Sequence, residues 1–437
     1  MSWPLALAAL FAMLVAGIGT GLPVAFTFIA INIVGLYAFV GGATALSLLA
    51  GSAFDSVANF ALSPIPLFIL MGELLLRSGL ATLCVDAVDV WVGRLPGRLA
   101  FVAVGGGTIF GALSGSSMAA TAMLGSTLAP EMERRGYKPQ MSIASILAAG
   151  GLDVLIPPSA LGVLLAVLAN VSAGKLLIAA VVPGLVLATV YAAYFIGRAR
   201  LQPHLAPPYD VAGLSTRAKL ATLKHLVPLS GLMVVVTGFI FFGIATPSET
   251  AAMGAVATAV LAAAYGKLSW PIVRVALMAT VHTTAMVFLI IVGSKAYSQL
   301  MSITGAATGF VEWMTGLPLT PIFMVIGMNL IVMLLGCFID QLSIMLITVP
   351  IFMPIVAQQG LDPIWFSVIL LVNLELAAIT PPFGLQLFVM KGVRPQLRMT
   401  EIYVAAMPII VLQVFVIGLM LAFPALSLWL PGLMFQR

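Results

Sequence analysis

The chain reads as an all-α polytopic membrane protein built from two inverted-topology repeats, each carrying a re-entrant hairpin and a broken helix. Three observations predict this class. Of 437 residues, 62% are hydrophobic and 8% charged, whereas a soluble globule runs at roughly half apolar and a quarter charged. The second half repeats the first at an offset of about 224 residues: Pro157-Pro158 recurs as Pro381-Pro382, Gly111 as Gly336, Gly136-Tyr137-Lys138-Pro139 as Gly360-Leu361-Asp362-Pro363, and Leu22-Pro23 as Thr246-Pro247. The cations, finally, collect at alternate ends of the apolar segments.

Apolar stretches of about 17 to 25 residues, enough to cross a ~30 Å hydrocarbon core, recur along the whole chain, with cores such as Leu5–Val15, Ala25–Val40, Leu176–Ile196, Leu229–Ile244 and Tyr403–Phe423. They are continuous runs without the short alternation of a β-barrel strand, so they are helices. Met1-Ser2-Trp3-Pro4 lacks a basic leader, so the first segment is expected to be retained.

Repeat one, residues 1–199, is expected to hold helices at about 4–20 and 22–41, an amphipathic connector and a helix at about 62–78. A hairpin at about 97–130, a broken helix at about 139–170 and a helix at about 174–198 complete it. A polar cytoplasmic linker, 200–225, leads to repeat two, 226–437, with a hairpin at about 320–358 and a broken helix at about 362–392. If the first hairpin re-enters, the repeat crosses five times; if both arms cross, seven. Either count is odd, so the copies are inverted.

Charge placement tests this independently, because Lys and Arg favour the cytoplasmic side. With the N-terminus in the periplasm, the inner side holds Arg77, Arg94, Arg98, Arg134, Arg135, Lys138, Arg198, Arg200, Arg217, Lys219, Lys224, Lys267, Arg274, Lys391, Arg394 and Arg398. The outer side holds Lys175 and Arg437, and Lys295 stays inside a membrane segment. The net charge of +5 is scattered over helix ends, which argues against a nucleic-acid partner. Cys84 and Cys337 are the only cysteines and suggest neither a disulfide framework nor a metal site.

Polar breaks at membrane depth survive only where protein or a wet cavity pairs the backbone. Each repeat has two: a small, polar hairpin tip (Ser114-Gly115-Ser116-Ser117; Gly336 to Ser343) and a proline break (Gly150 to Ser159; Asn373 to Gly384). Proline lacks an amide hydrogen and cannot continue a regular helix, so carbonyls of the preceding turn are released. Freed carbonyls and hydroxyls suit a small hard cation such as sodium, and helix N-termini suit an anion. A single break would read as ordinary close packing; two breaks duplicated in register point to a transporter with its site between the repeats.

The ionisable residues divide. Glu73 and Arg77, four apart, read as a local ion pair, Glu249 as a helix cap, and His282 as a satisfied helix-interface histidine rather than a proton relay. Asp340 stands at a hairpin tip, for cation binding or hairpin closure. Lys295 either pairs with Asp153, Glu375 or Asp340 across helices or contacts an anion. Competing readings are an anion channel with the same breaks and an intramembrane hydrolase using His282 with Ser114 or Ser116; nothing else resembles a catalytic set, and no enzyme activity is expected. Opposed hairpins suit alternating access better than an open pore.

The runs Gly21–Phe26, Pro66–Glu73, Gly111–Ser117, Glu131–Tyr137, Leu155–Ser159, Thr246–Glu249, Gly336–Asp340 and Thr380–Gly384 resemble those of the large, DctM-like membrane subunit of tripartite ATP-independent periplasmic (TRAP) transporters. The resemblance covers nearly the whole chain. It implies an elevator-type ion transporter fold in the bacterial inner membrane that carries an organic anion, a carboxylate or sugar acid, with sodium as coupling ion and no other cofactor. It implies two partners, a periplasmic substrate-binding protein and a small membrane subunit; since repeat one begins at residue 1, the small subunit is expected as a separate chain. Carried over by motif, one sodium site involves Ser114, Gly115 and Ser116 with Gly151, Pro157 and Ser159, and the other involves Gly336 and Asp340 with Thr380, Pro381 and Gly384. Substrate is expected between them, on Ser116, Ser117, Ser159, Thr380 and Lys295. Asp153, Glu375 and Lys295 depart from the family pattern, which has Gly or neutral residues at these places.

Overall fold

The computed structural model of the chain describes residues 2–20, 22–39, 41–92, 95–207, 216–382 and 384–434. Gly21, Arg94, Phe383, Arg437 and linker residues 208–215 lie outside these, as do the side chains of Cys84, Leu113, Ser114, Arg217, Lys219 and His225.

Repeat one runs α1 Trp3–Gly19, α2 Val24–Phe39, α3 Gly42–Val57, α4 Pro64–Arg77, α5 Leu80–Val92, α6 Arg98–Ser114, α7 Ser117–Arg134, α8 Pro139–Gly150, α9 Ala160–Leu168 and α10 Ala173–Leu201. Repeat two runs α11 Thr216–Phe241, α12 Pro247–Ala264, α13 Trp270–Ile303, α14 Ala306–Thr315, α15 Pro321–Gly336, α16 Gln341–Gln358, α17 Pro363–Ala378, α18 Leu385–Val393, α19 Met399–Ala422 and α20 Ala425–Met434. α7 and α16 begin 224 residues apart, and so do α8 and α17. Local chemistry sets these starts. Gly136 and Gly360 both take positive φ just past the preceding helix, so its last carbonyls are met by backward amide bonds. Pro139 and Pro363 then open the next helix, where a missing amide costs nothing.

Packing exchanges the repeats. α2 lies on α13 and α12 on α4; α8 lies on α19 and α17 on α10; α7 lies on α18 and α16 on α9; α1 lies on α14 and α11 on α5. Each contact maps onto its partner under the sequence offset, as a pseudo-two-fold relation requires. The basic helix ends gather at one end of the molecule. There Arg98 meets Asp89 at 2.8 Å, Arg135 meets Glu131 at 2.6 Å, Arg394 meets Glu133, and Lys267 Nζ donates to Gly79 O at 3.1 Å.

Two elements break the symmetry. α13 is one helix of 34 residues, while its counterpart is split into α3 and α4 by a turn at Phe60–Leu62, capped by Asn59 Oδ1 on Ala61 N at 3.0 Å. Pro64 and Pro66 enforce the split; 224 residues later stand Phe288 and Ile290, which let the helix continue. The expected connector before residue 62 is therefore largely helical. The second departure is α5, absent from the sequence reading. Asp86 and Asp89 interrupt its apolar run, yet Asp89 is held by Arg98.

The hairpin arms, 16 to 18 residues long, extend about 24 to 27 Å at 1.5 Å per residue, short of a ~30 Å hydrocarbon core. Between them lie α8, buried from Met141 to Gly150, and α17, buried from Trp365 to Ala378. A helix that is apolar all round belongs in such a centre. The outer helices instead expose side chains such as Phe11, Val15, Val411 and Phe415, as a surface facing lipid tails does.

Candidate functional site

Each hairpin turns at a tip that caps its own second arm. In the first, α6 ends at Ser114 and Gly115 takes φ +62°, a conformation costing an L-residue about 1 to 2 kcal/mol. Ser116 then accepts Ala119 N at 3.3 Å as N-cap of α7. In the second, Asp340 stands 224 residues after Ser116 and caps α16 in the same way. Its Oδ1 accepts Ser343 N at 3.1 Å, and Oδ2 takes the Ser343 hydroxyl. Both caps leave a helix N-terminus, with its partial positive charge, at the tip.

Each tip abuts the broken helix of its own repeat. A Cβ on Gly111 would lie 2.6 Å from Asp153 Cβ, and one on Gly336 would overlap Ala377, so only glycine permits these approaches. Beyond α8 the chain turns through 151–159 until Ser159 caps α9, accepting Gly162 N at 3.1 Å. Beyond α17, Thr380 Oγ1 donates to Leu376 O at 2.6 Å. The Pro157-Pro158 and Pro381-Pro382 peptides are both cis. Side chains reach the proline carbonyls: Thr237 Oγ1 donates to Pro157 O at 3.2 Å, Cys337 Sγ to Pro381 O at 3.2 Å and Tyr403 Oη to Pro382 O at 2.5 Å.

The two repeats meet at Glu375, which is fully buried. Its Oε1 accepts Ser117 Oγ at 2.7 Å and Gln341 Nε2 at 2.8 Å, and its Oε2 accepts Gln386 Nε2 at 3.0 Å. Ser117 and Gln341 are the first residues of α7 and α16 and are themselves 224 apart, so one carboxylate clasps both tips. Ser117 Oγ also lies 3.1 Å from Oδ1 of Asp153, likewise fully buried.

A cavity of about 210 Å³ opens beside the clasp. One wall is Gly115, Ser116, Ser117, Ala160, Leu161 and Gln341; the facing wall comes from α4 and α13, including Ile69, Gly72, Glu73, Thr283 and Val287.

The structure thus gathers Gly115, Ser116 and Ser117 around the cavity, with Ser159 capping the adjoining helix. The side chain of Ser114 is outside the described set. Gly151 and Pro157 lie along the first break, and Gly336, Thr380, Pro381 and Gly384 flank the second. Thr380 and Ser159 do not line the cavity. Lys295 corrects the sequence reading: Ser294 and Ala296 beside it are buried, but Lys295 is exposed, and among the described residues no ion pair joins it to Asp153, Glu375 or Asp340. His282 is also exposed rather than set in a helix interface. Glu249 closes a capping box with Thr246, and Glu73 pairs with Arg77 at 3.1 Å while also facing the cavity. Sequence reasoning missed Gln341 and Gln386; their register with Ser117 and their place just past the proline break were the available signals.

Comparison with known proteins agrees with this architecture. The family profile described as Tripartite ATP-independent periplasmic transporter, DctM component, matches residues 11–426. The chain is 34% identical over 380 residues to the C4-dicarboxylate TRAP transporter large permease protein DctM of Pseudomonas aeruginosa, covering 87% of this chain and 88% of that one. It is 31% identical over 396 residues to the isethionate TRAP transporter permease protein DctMQ of Oleidesulfovibrio alaskensis, covering 90% of this chain and 61% of the other. Among solved structures, the Alcanivorax borkumensis YdaH transporter superposes with a TM-score of 0.57 at 16% identity, over 90% of this chain and 88% of that one, a likeness of fold. With a profile match spanning most of its length, the chain belongs to the DctM component family of tripartite ATP-independent periplasmic transporters.

Proposed function

We propose that the chain imports an organic anion, a carboxylate or sugar acid, together with sodium. A group containing the two hairpins slides as an elevator against a frame of α2, α4, α12 and α13. The observation that carries this reading is the meeting of both hairpin tips with both breaks beside a cavity whose far wall is the frame. Two helix N-termini at the tips supply positive potential for an anion, and released carbonyls with hydroxyls supply oxygen for sodium. Ser114, Gly115, Ser116, Gly151, Pro157 and Ser159 are proposed for one ion, and Gly336, Asp340, Thr380, Pro381 and Gly384 for the other. Ser116 and Ser117 are proposed to hold substrate; Ser159 and Thr380 act behind them as caps of the broken helices. The family's description as tripartite, periplasmic and ATP-independent supports a binding protein and a small membrane subunit as partners. It also supports an inner-membrane site, with the N-terminus periplasmic by the charge rule, and a driving force other than ATP.

The test is uptake into proteoliposomes holding the chain and its small subunit, with the cognate binding protein and its anion outside. An inward sodium gradient is expected to drive accumulation that is lost without the binding protein. Uptake indifferent to sodium would remove the coupling claim, and currents without the binding protein would favour a channel.

A further inference from the structure

We propose that Asp153, Ser117 and Glu375 form a proton-binding site shared by the two repeats, with one proton held on Asp153 in the conformation seen. The site is separate from the residues proposed for sodium. It rests on hydrogen counting. Ser117 Oγ carries one hydrogen, yet lies 2.7 Å from Glu375 Oε1 and 3.1 Å from Asp153 Oδ1. A carboxylate can only accept, so with both acids ionised one of these two contacts contains no hydrogen. Glu375 is already served by the Gln341 and Gln386 amides as well as by Ser117, the set an anion needs. The missing hydrogen therefore belongs on Asp153 Oδ1, which donates to Ser117 Oγ while Ser117 donates to Glu375. Among the described residues Asp153 Oδ2 has no hydrogen-bond partner, tolerable for the carbonyl oxygen of a neutral acid and costly for a buried charge.

A second observation points the same way. Gln386 is fully buried with its Oε1 unpartnered beside the clasp, an acceptor left open after its amide has gone to Glu375.

Among the described residues, the surrounding elements bring no counter-charge. Tyr191 on α10, beside Gln413 of α19, is the titratable group facing Glu375. Asp340 at the start of α16 is turned onto Ser343. Glu131 and Arg135 pair with each other at the far end of α7, Arg98 meets Asp89 at the far end of α6, and Lys391 of α18 bonds the Pro395 and Leu397 carbonyls. Arg398 and Glu401 pair at the start of α19, and α8, α9, α15 and the rest of α17 carry no ionisable group. Binding forms one O–H bond on Asp153 from an aqueous proton; release returns that proton to water and leaves two repelling carboxylates. A proton there ties the first tip to α17, and its loss frees the tip.

Infrared difference spectroscopy on the full chain in lipid nanodiscs tests this directly, with sodium present or absent. The expected result is a protonated-carboxyl C=O band in the wild type that shifts in D2O, is lost in Asp153→Asn, remains in Glu375→Gln, and is indifferent to sodium. Ser117→Ala, which keeps both acids, should move the band to higher frequency as the acid loses its acceptor, so the site stays testable if Asp153→Asn does not fold. No such band at any pH at which the protein is folded, a band that survives Asp153→Asn, an unmoved band in Ser117→Ala, or a band abolished by sodium overturns the proposal. No transport is read, so the outcome is independent of the uptake experiment.

Discussion

Asp340 and Ser116 show how one position can keep its geometry while its charge changes. Both cap the second arm of their hairpin, so replacing either is first an assault on a helix start, worth about 1 kcal/mol. Asn caps as well as Asp, so Asp340→Asn should leave the thermal midpoint of the purified protein nearly unchanged. It should also raise the sodium concentration for half-maximal uptake several-fold, whereas unchanged sodium activation would reduce Asp340 to a cap. Asp340→Ala adds the loss of the cap. Gly336→Ala presses a methyl into Ala377, and overpacking of this kind costs about 1 to 3 kcal/mol. A clear fall in thermal midpoint is expected, and an unshifted midpoint would mean that the tip has room to move. Sequence singled out Asp153, Glu375 and Lys295 alike as charges out of place. It could not tell that two are buried together and the third faces outward, because that depends on which side of a helix each occupies once the repeats are packed.

Among elements, the proline breaks were the most legible, since a missing amide acts locally and needs no partner. Their duplicates supply matching helix starts, Pro139 with Pro363 and Ser117 with Gln341. α5 was illegible for the opposite reason: its acids are satisfied by Arg98, nine residues beyond Asp89, and apolar continuity alone cannot register that. The hairpin arms act as rigid spacers between tip and mouth. One residue inserted after Ala122 turns everything toward the tip by about 100° and should carry Ser117 away from Glu375. Membrane insertion should survive and uptake fall to background. Retained uptake would show that the clasp is not needed.

For the whole molecule, duplication made the architecture readable: one set of local signals, written twice, fixes two hairpins and two breaks, and their exchange in packing follows from the pseudo-two-fold relation. What the duplication could not reveal is which contacts join the hairpin group to the frame. Two hydrogen bonds do so: Thr237 Oγ1 to Pro157 O at 3.2 Å, and Ser294 Oγ of α13 to Leu346 O of α16 at 2.8 Å. A sliding hairpin group must break both. The most direct measurement is uptake by a Ser294→Cys, Leu346→Cys variant in a background with Cys84 and Cys337 replaced, before and after oxidative cross-linking. Elevator movement predicts that cross-linking reduces uptake to background and that a reducing agent restores it; full uptake by the cross-linked protein would contradict the movement outright.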